Sequence, residues 1–257
     1  MPQRLRSALA ALLFVVGFGV APDARADEVT LVAPGGIRAA LEQLIPAFER
    51  LTGHTVKATF GSGGGTRQQV IRGEPFDVPI VQPPLPAVRD SGRVVAASET
   101  PLATVAVGVA VRKGQPRPDI STPDAVRRLL LAAKAIAYPD GSTGAAAGVS
   151  FDATLKTLGI ADQMPPKIRR AAGGAGAMAL LAKGEVDIGL TFLSEMDATV
   201  DIVGPLPRAI STPTALVGFV SARATSPDAA KALLKYLSSP EAARVYKANG
   251  MEPGALR

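Results

Sequence analysis

Apolar positions follow one rhythm and then another along the chain, and the changeovers fall at glycine-rich turns. Val29 to Ala33 is a short apolar run containing β-branched residues. Beyond Pro34-Gly35-Gly36, the residues Ile37, Leu41, Leu44, Phe48 and Leu51 recur at steps of three and four, with Glu42, Glu49 and Arg50 between them. That spacing predicts a strand, a tight turn and an amphipathic helix, with Gly53 where a C-terminal cap belongs. Val56 to Phe60 predicts the next strand. Gly61-Ser62-Gly63-Gly64-Gly65 then opens a short helix from Thr66 to Arg72, and Val78 to Val81 gives a third strand. Repeated strand-turn-helix units predict an α/β architecture, a parallel sheet with helices on its faces.

A second series follows. Leu102 to Val111 predicts one long strand, and Thr122-Pro123-Asp124 starts a helix with a capping hydroxyl, a proline at the first position and an acid in the first turn. Ala135 to Ala137 predicts a strand, Pro139 to Gly144 a loop, and Val149 to Leu158 a helix. Gly173-Gly174-Ala175-Gly176 introduces a helix from Met178 to Lys183, and Asp187 to Thr191 is a further strand. Leu216 to Val220 and helices opened by Ser226-Pro227-Asp228 and Ser239-Pro240-Glu241 complete the chain. The expected organisation is two α/β lobes, residues 27–107 with 212–257 and residues 108–211.

The first 26 residues stand apart. Arg4 and Arg6 precede an apolar stretch from Ser7 to Val20, and Ala24-Arg25-Ala26 has the small-x-small pattern of a cleavage site. The stretch is shorter than the roughly 20 residues that span a bilayer, so a cleaved secretory signal with Asp27 as first mature residue is expected, and with it a periplasmic location. Loss of three arginines and one aspartate with the leader lowers the formal charge from +6 to +4. The sequence has no basic block for nucleic acid, but a mild positive field favours an anion. Cysteine is absent and His54 is the single histidine, which removes thiolate chemistry, His-rich metal sites and most nucleophilic triads. His54 reads as a turn residue and Asp77 as a cap between strand and loop.

Three glycine-rich loops carry the candidate chemistry. Loops 34–36, 61–65 and 141–144 each follow a strand and open a helix, where unpaired backbone N–H groups and the helix dipole attract an anion. Gly35, Gly36, Gly63, Gly64 and Gly144 permit close backbone approach to a ligand, and Ser62, Ser142, Thr143 and Thr191 add hydroxyls. None of the loops is a Walker motif, because Gly61 to Gly65 lacks the lysine, and no dinucleotide fingerprint is present.

The segments "LVAPGGIRAALEQLIPAFERLTGHTVKATFGSGG", "RGEPFDVPIV", "LLAKGEVDIGLTFLSEM" and "SSPEAARVYKANGM" resemble the molybdate-binding branch of periplasmic solute-binding proteins over nearly the whole mature chain. The resemblance implies a type II binding-protein fold: two α/β lobes joined by two crossovers and closing on a ligand in the cleft. It also implies an ABC permease and its ATPase as partners. Molybdate or tungstate binders of that family use a serine in the first loop, a serine in the second and a tyrosine in the second lobe. The matching positions here are Gly36, Gly63 and Phe192, with Ser62 or Ser194 as substitutes. Arg38 and Arg67 stand in first turns, where a cation opposes the helix dipole, and their guanidinium forks match carboxylates. The sequence thus predicts a monomeric receptor for a small anion, an organic di- or tricarboxylate ahead of a molybdate-like oxyanion. It predicts neither an enzyme nor a cofactor or metal, and it leaves a sensory role for the same fold open.

Overall fold

A computed structural model describes residues 26–254, so the leader, apart from Ala26, and the last three residues lie outside the described residues. The chain begins with β1 (Glu28–Pro34), whose Val29, Leu31, Val32 and Ala33 are fully buried. A single 3-10 turn at Gly35–Ile37 leads into α1 (Arg38–Thr52), which buries Leu41, Leu44, Ile45 and Phe48 and ends at Gly53 in the left-handed conformation. β2 (Thr55–Gly61), α2 (Gly63–Arg72), β3 (Val78–Val81), α3 (Pro86–Asp90) and β4 (Thr100–Val105) complete the first pass.

Ala106 then carries the chain into a second sheet. This sheet comprises β5 (Val107–Arg112), followed by α4 (Pro123–Ala132), then β6 (Ile136–Pro139), α5 (Ala146–Thr157), β7 (Ile168–Ala171), α6 (Gly173–Ala182), β8 (Ile188–Phe192) and β9 (Val200–Pro205). The return runs through β10 (Thr214–Gly218), α7 (Pro227–Leu237), α8 (Pro240–Ala248) and β11 (Met251–Pro253). The first sheet has the order β11-β4-β10-β3-β1-β2 and the second the order β7-β6-β8-β5-β9. Two α/β lobes are therefore joined by two crossovers, one at Ala106 and one between Pro205 and Thr214.

Two sequence expectations change. The run Leu102 to Val111 is two strands in different sheets, so Val107 belongs with the second lobe; both strands are buried, and a continuous apolar run carries no mark of where it leaves one sheet for another. The sheets are also mixed. β1 pairs in parallel with β2 and β3, and β6 with β7 and β8, while β10 lies antiparallel between β3 and β4, and β5 antiparallel between β8 and β9. The strands that break the parallel order are β5 and β10, next to the crossovers, and β11, antiparallel to β4 at the sheet edge.

Asp77 fastens the first pass of the chain to the return. Its Oδ2 accepts hydrogen bonds from the N–H and hydroxyl of Thr30 at 2.8 and 2.7 Å, and its Oδ1 accepts from the N–H and hydroxyl of Thr225 at 2.6 and 2.9 Å. Burial alone would raise this carboxyl, but the four hydrogen bonds outweigh it and hold the group below its usual range.

Candidate ligand-binding site

Six strands end at one place between the lobes. Beyond β1, β2 and β7 the chain turns at once into a 3-10 turn or helix, at Gly35, Ser62 and Gly173, and beyond β6 it passes through a 3-10 turn at Gly141–Thr143 to Ala145 and α5. Small residues at these turns bring the first turns of the helices to the space between them; in α2 the N–H groups of Gly64 and Gly65 are already bonded, to the Gly144 carbonyl and the Ser62 hydroxyl. That space is a cavity of about 250 Å³, lined by Gly35, Gly61, Ser62, Thr143, Ala145–Ala147, Gly173 and Gly174, and by three larger side chains, Gln82, Phe192 and Glu195. Ligands of α/β sheets lie beyond the carboxyl ends of the strands, and every lining element meets that condition.

The lobes are closed on this cavity. The N–H of Gly64 donates to the carbonyl of Gly144 at 3.0 Å, and the Ser62 hydroxyl donates to that of Thr143 at 3.3 Å. On the other side the Ser194 hydroxyl donates to the Gly36 carbonyl at 2.6 Å. A Cβ at Gly64 would lie only 3.1 Å from Gly144 Cα, so the approach of backbone to backbone requires the glycine.

Gln82 follows β3 and is 1% exposed, yet neither its amide nitrogen nor its amide oxygen has a protein partner. An unpartnered buried amide costs about 1–3 kcal/mol, and one that lines a cavity is placed to meet a ligand. It also fills the room beside Gly63, where a Cβ would stand 1.9 Å from Gln82 Oε1. Phe192 similarly occupies the space beside Gly36, where a Cβ would stand 3.1 Å from its ring. At both positions that the resemblance matches to serines, a side chain would press on a residue of the facing strand ends, the Gln82 amide at Gly63 and the Phe192 ring at Gly36.

Glu195 contributes a carboxylate to the cavity. Its Oε2 accepts from the buried Thr191 hydroxyl, and its Oε1 is the oxygen nearest Gly35. Although the residue is partly open to the cavity, protein surrounds its carboxyl; that burial pushes its pKa up, against hydrogen bonds from Thr191 and the Phe192 backbone.

Of the residues singled out from sequence, Gly35, Ser62 and Thr143 line the cavity, while Gly36, Gly63, Gly64 and Gly144 are the close approaches that shape its wall. Thr191 acts on Glu195. Ser142 is exposed and bonds back to Asp140. The two arginines are elsewhere: Arg38 is exposed and lies over the Phe60 ring at 4.5 Å, and Arg67 donates to the carbonyls of Gln82 and Pro83 at 3.3 and 3.1 Å. Neither lines the cavity. Gln82 and Glu195 were not anticipated. A polar residue directly after the buried run Val78 to Val81 was the available signal for Gln82, since that is where α/β sheets place ligand contacts. Among the described residues no cluster of His, Asp or Glu is arranged to hold a metal ion, and no helix is long and apolar enough to cross a membrane.

Known proteins agree with this architecture. The chain is 32% identical over 233 residues to an aconitate isomerase of Pseudomonas sp., covering 88% of this chain and 87% of that protein. It is 27% identical to the molybdate-binding protein of Rhodobacter capsulatus, covering 97% of each. Its fold superposes on the solved periplasmic molybdate-binding protein of Azotobacter vinelandii with a TM-score of 0.74 at 21% identity, covering 88% of this chain and all of that one. Residues 29–252 match the family described as bacterial extracellular solute-binding protein, and the chain belongs to that family.

Proposed function

We propose that this protein is the periplasmic receptor of an ABC-type importer, exported by cleavage after Ala26, and that it captures a small organic di- or tricarboxylate for a membrane permease and its ATPase. The carrying observation is the remodelled cavity wall. Gln82 and Phe192 take the volume beside Gly63 and Gly36, leaving no room for the serines of molybdate binders without moving two buried side chains. Glu195 adds to the argument. A tetrahedral metal oxyanion has no proton to offer and wants donors only, whereas the carboxyl of Glu195, raised by burial, pairs with a carboxylate ligand as a hydrogen-bond donor when protonated. With the arginines engaged elsewhere, the negative charge of the ligand is met by the N-termini of the helices and by the Gln82 amide. The 32% identical relative, itself named for a tricarboxylate, supports the same ligand class.

Calorimetry on the secreted protein with trans-aconitate, cis-aconitate, citrate and molybdate tests the reading. Binding of at least one tricarboxylate, with molybdate at least ten-fold weaker, is the expected result. Tight molybdate binding with no carboxylate binding overturns the ligand class.

A further inference from the structure

Glu195 puts an acceptor into a cavity read as an anion site, and its surroundings hold it there. Thr191, itself 1% exposed at the end of β8, donates its hydroxyl to Oε2, and the Phe192 backbone adds a second hydrogen bond. Oε2 also lies against the start of α6, 2.5 Å from where a Cβ on Gly174 would stand, while Oε1 is on the Gly35 side of the cavity. Among the described residues, no lysine, arginine or histidine lines the cavity to offset the charge. The elements packed around Glu195 bring no cation either. The 3-10 turn Gly35–Ile37, β8 and α6 carry no titratable side chain, Arg38 lies over the Phe60 ring, and Asp201 of β9 accepts from the Gly114 N–H. Asp197 is exposed and accepts from Thr199, and His54 precedes β2, at the opposite end of the strands from the cavity. The lining hydroxyls are engaged: Ser62 donates to the Thr143 carbonyl, and Thr143 to that of Asp140.

A ligand carboxylate in this cavity meets a fixed carboxylate with no cation between them, and two such groups come together when a proton bridges them. We propose that the cavity binds its anion together with one proton, taken from solvent onto Glu195 and shared with a carboxylate oxygen of the ligand. In the occupied cavity Oε1 carries the hydrogen and donates to the ligand, while Oε2 goes on accepting from Thr191. Closure strengthens the requirement. The contacts of Gly64 with Gly144 and of Ser194 with Gly36 bring both lobes around the ligand, which leaves less water to screen two like charges. Burial already raises the carboxyl of Glu195, and the charge of a bound anion raises it further. Ligand and proton therefore strengthen each other's binding by the same factor. Capture tightens as the medium turns acid, and affinity falls as pH rises past the point where the empty cavity loses its proton.

The inference rests on the proposed polycarboxylate reading, and the experiment separates the two. The secreted protein is titrated with trans-aconitate by calorimetry at about pH 8, well above the ordinary carboxyl range, in two buffers of different ionisation enthalpy, so that the difference in heat counts the protons taken up. The expected result is uptake approaching about one proton per ligand, with affinity falling by about ten-fold for each pH unit over which Glu195 is ionised in the empty cavity. Glu195→Gln keeps an oxygen for Thr191 and sets an N–H where the protonated Oε1 would donate. It is expected to take up no proton, to bind with an affinity that does not change with pH, and to exceed the parent at about pH 8 by at least about ten-fold. A role in packing alone would weaken binding at every pH instead. Should the Gln variant not fold, proton uptake by the parent still decides the coupling. Binding by the parent without proton uptake overturns the proposal and leaves the receptor reading standing; equal uptake by parent and Gln variant overturns the role of Glu195. Absence of binding of trans-aconitate, cis-aconitate and citrate alike overturns both.

Discussion

At the scale of single residues the cavity is defined by exchanges of volume. A side chain at Gly63 would displace the Gln82 amide, so the two positions are coupled although 19 residues apart in sequence. Gly63→Ser, which restores the hydroxyl of the molybdate binders, is therefore expected to abolish tricarboxylate binding in calorimetry, while the double variant with Gln82→Ala regains the space. Gln82→Leu is expected to have a separate signature: it removes an unpartnered buried amide, so unliganded stability in urea titration stays level or rises by about 1 kcal/mol, while affinity falls ten-fold or more. A parallel loss of stability and affinity would show that Gln82 is only a packing residue. This coupling is also why sequence reading stopped short of the site. The loops were legible from their glycines, and Gly35, Ser62 and Thr143 do line the cavity, but the arginines were read from their unfavourable place at helix starts alone. Arg67 finds its partners at Gln82 and Pro83 and Arg38 finds the Phe60 ring, contacts made by tertiary structure and invisible to local spacing.

At the scale of elements, the strands and amphipathic helices were legible because buried strands and one-sided helices leave strong periodicities, as in β1 and α1. Helix starts were read late. Helices α2, α5 and α6 begin at Gly63, Ala146 and Gly173 rather than at Thr66, Val149 and Met178, since the glycines in these first turns look like loop by propensity. Those first-turn residues leave N–H groups unpaired within the helix, and smallness there suits a bound anion better than helix propensity does. Asp77 shows what holds the elements in place. Asp77→Ala leaves Thr30 and Thr225 without the acceptor that joins β1 to the approach to α7, and is expected to cost about 3 kcal/mol by urea denaturation, the scale for hydrogen bonds to a charged group. The pH dependence has a definite sign. Because its hydrogen bonds depress the folded pKa, the contribution is present above about pH 4, the ordinary carboxyl range, and is lost as pH falls through the lower folded value. The parent should therefore lose stability as pH falls below the ordinary carboxyl range more steeply than Asp77→Asn. Glu195 works in the opposite sense: its raised pKa stabilises the unliganded fold at acid pH and ceases to do so as pH rises through the folded value.

At the scale of the whole molecule, two crossovers and a cavity between the lobes make binding and closure one equilibrium. The lobes meet through few direct contacts near the ligand, chiefly Gly64 to Gly144, Ser62 to Thr143 and Ser194 to Gly36, so a wedge at one of them biases the molecule without disturbing either core. Gly64 is the place for it. It lies in the first turn of α2 with an ordinary helical φ, and its Cβ would press on the backbone of Gly144, which has φ +85° and cannot easily be rearranged. Gly64→Leu keeps a good helix former in α2 and places its bulk between the lobes only when they close. If closure is needed to assemble the site, apparent affinity falls in proportion to the closed fraction, so a 100-fold loss of that fraction weakens tricarboxylate binding by about 100-fold, roughly 2.7 kcal/mol. Small-angle scattering should show the variant staying extended at ligand concentrations that compact the parent, with the melting temperature of the unliganded protein within about 2 °C of the parent because no core contact changes. Parent-like affinity in Gly64→Leu would mean that the ligand is held by one lobe alone, and the convergence of helix ends from both lobes would then carry no binding energy.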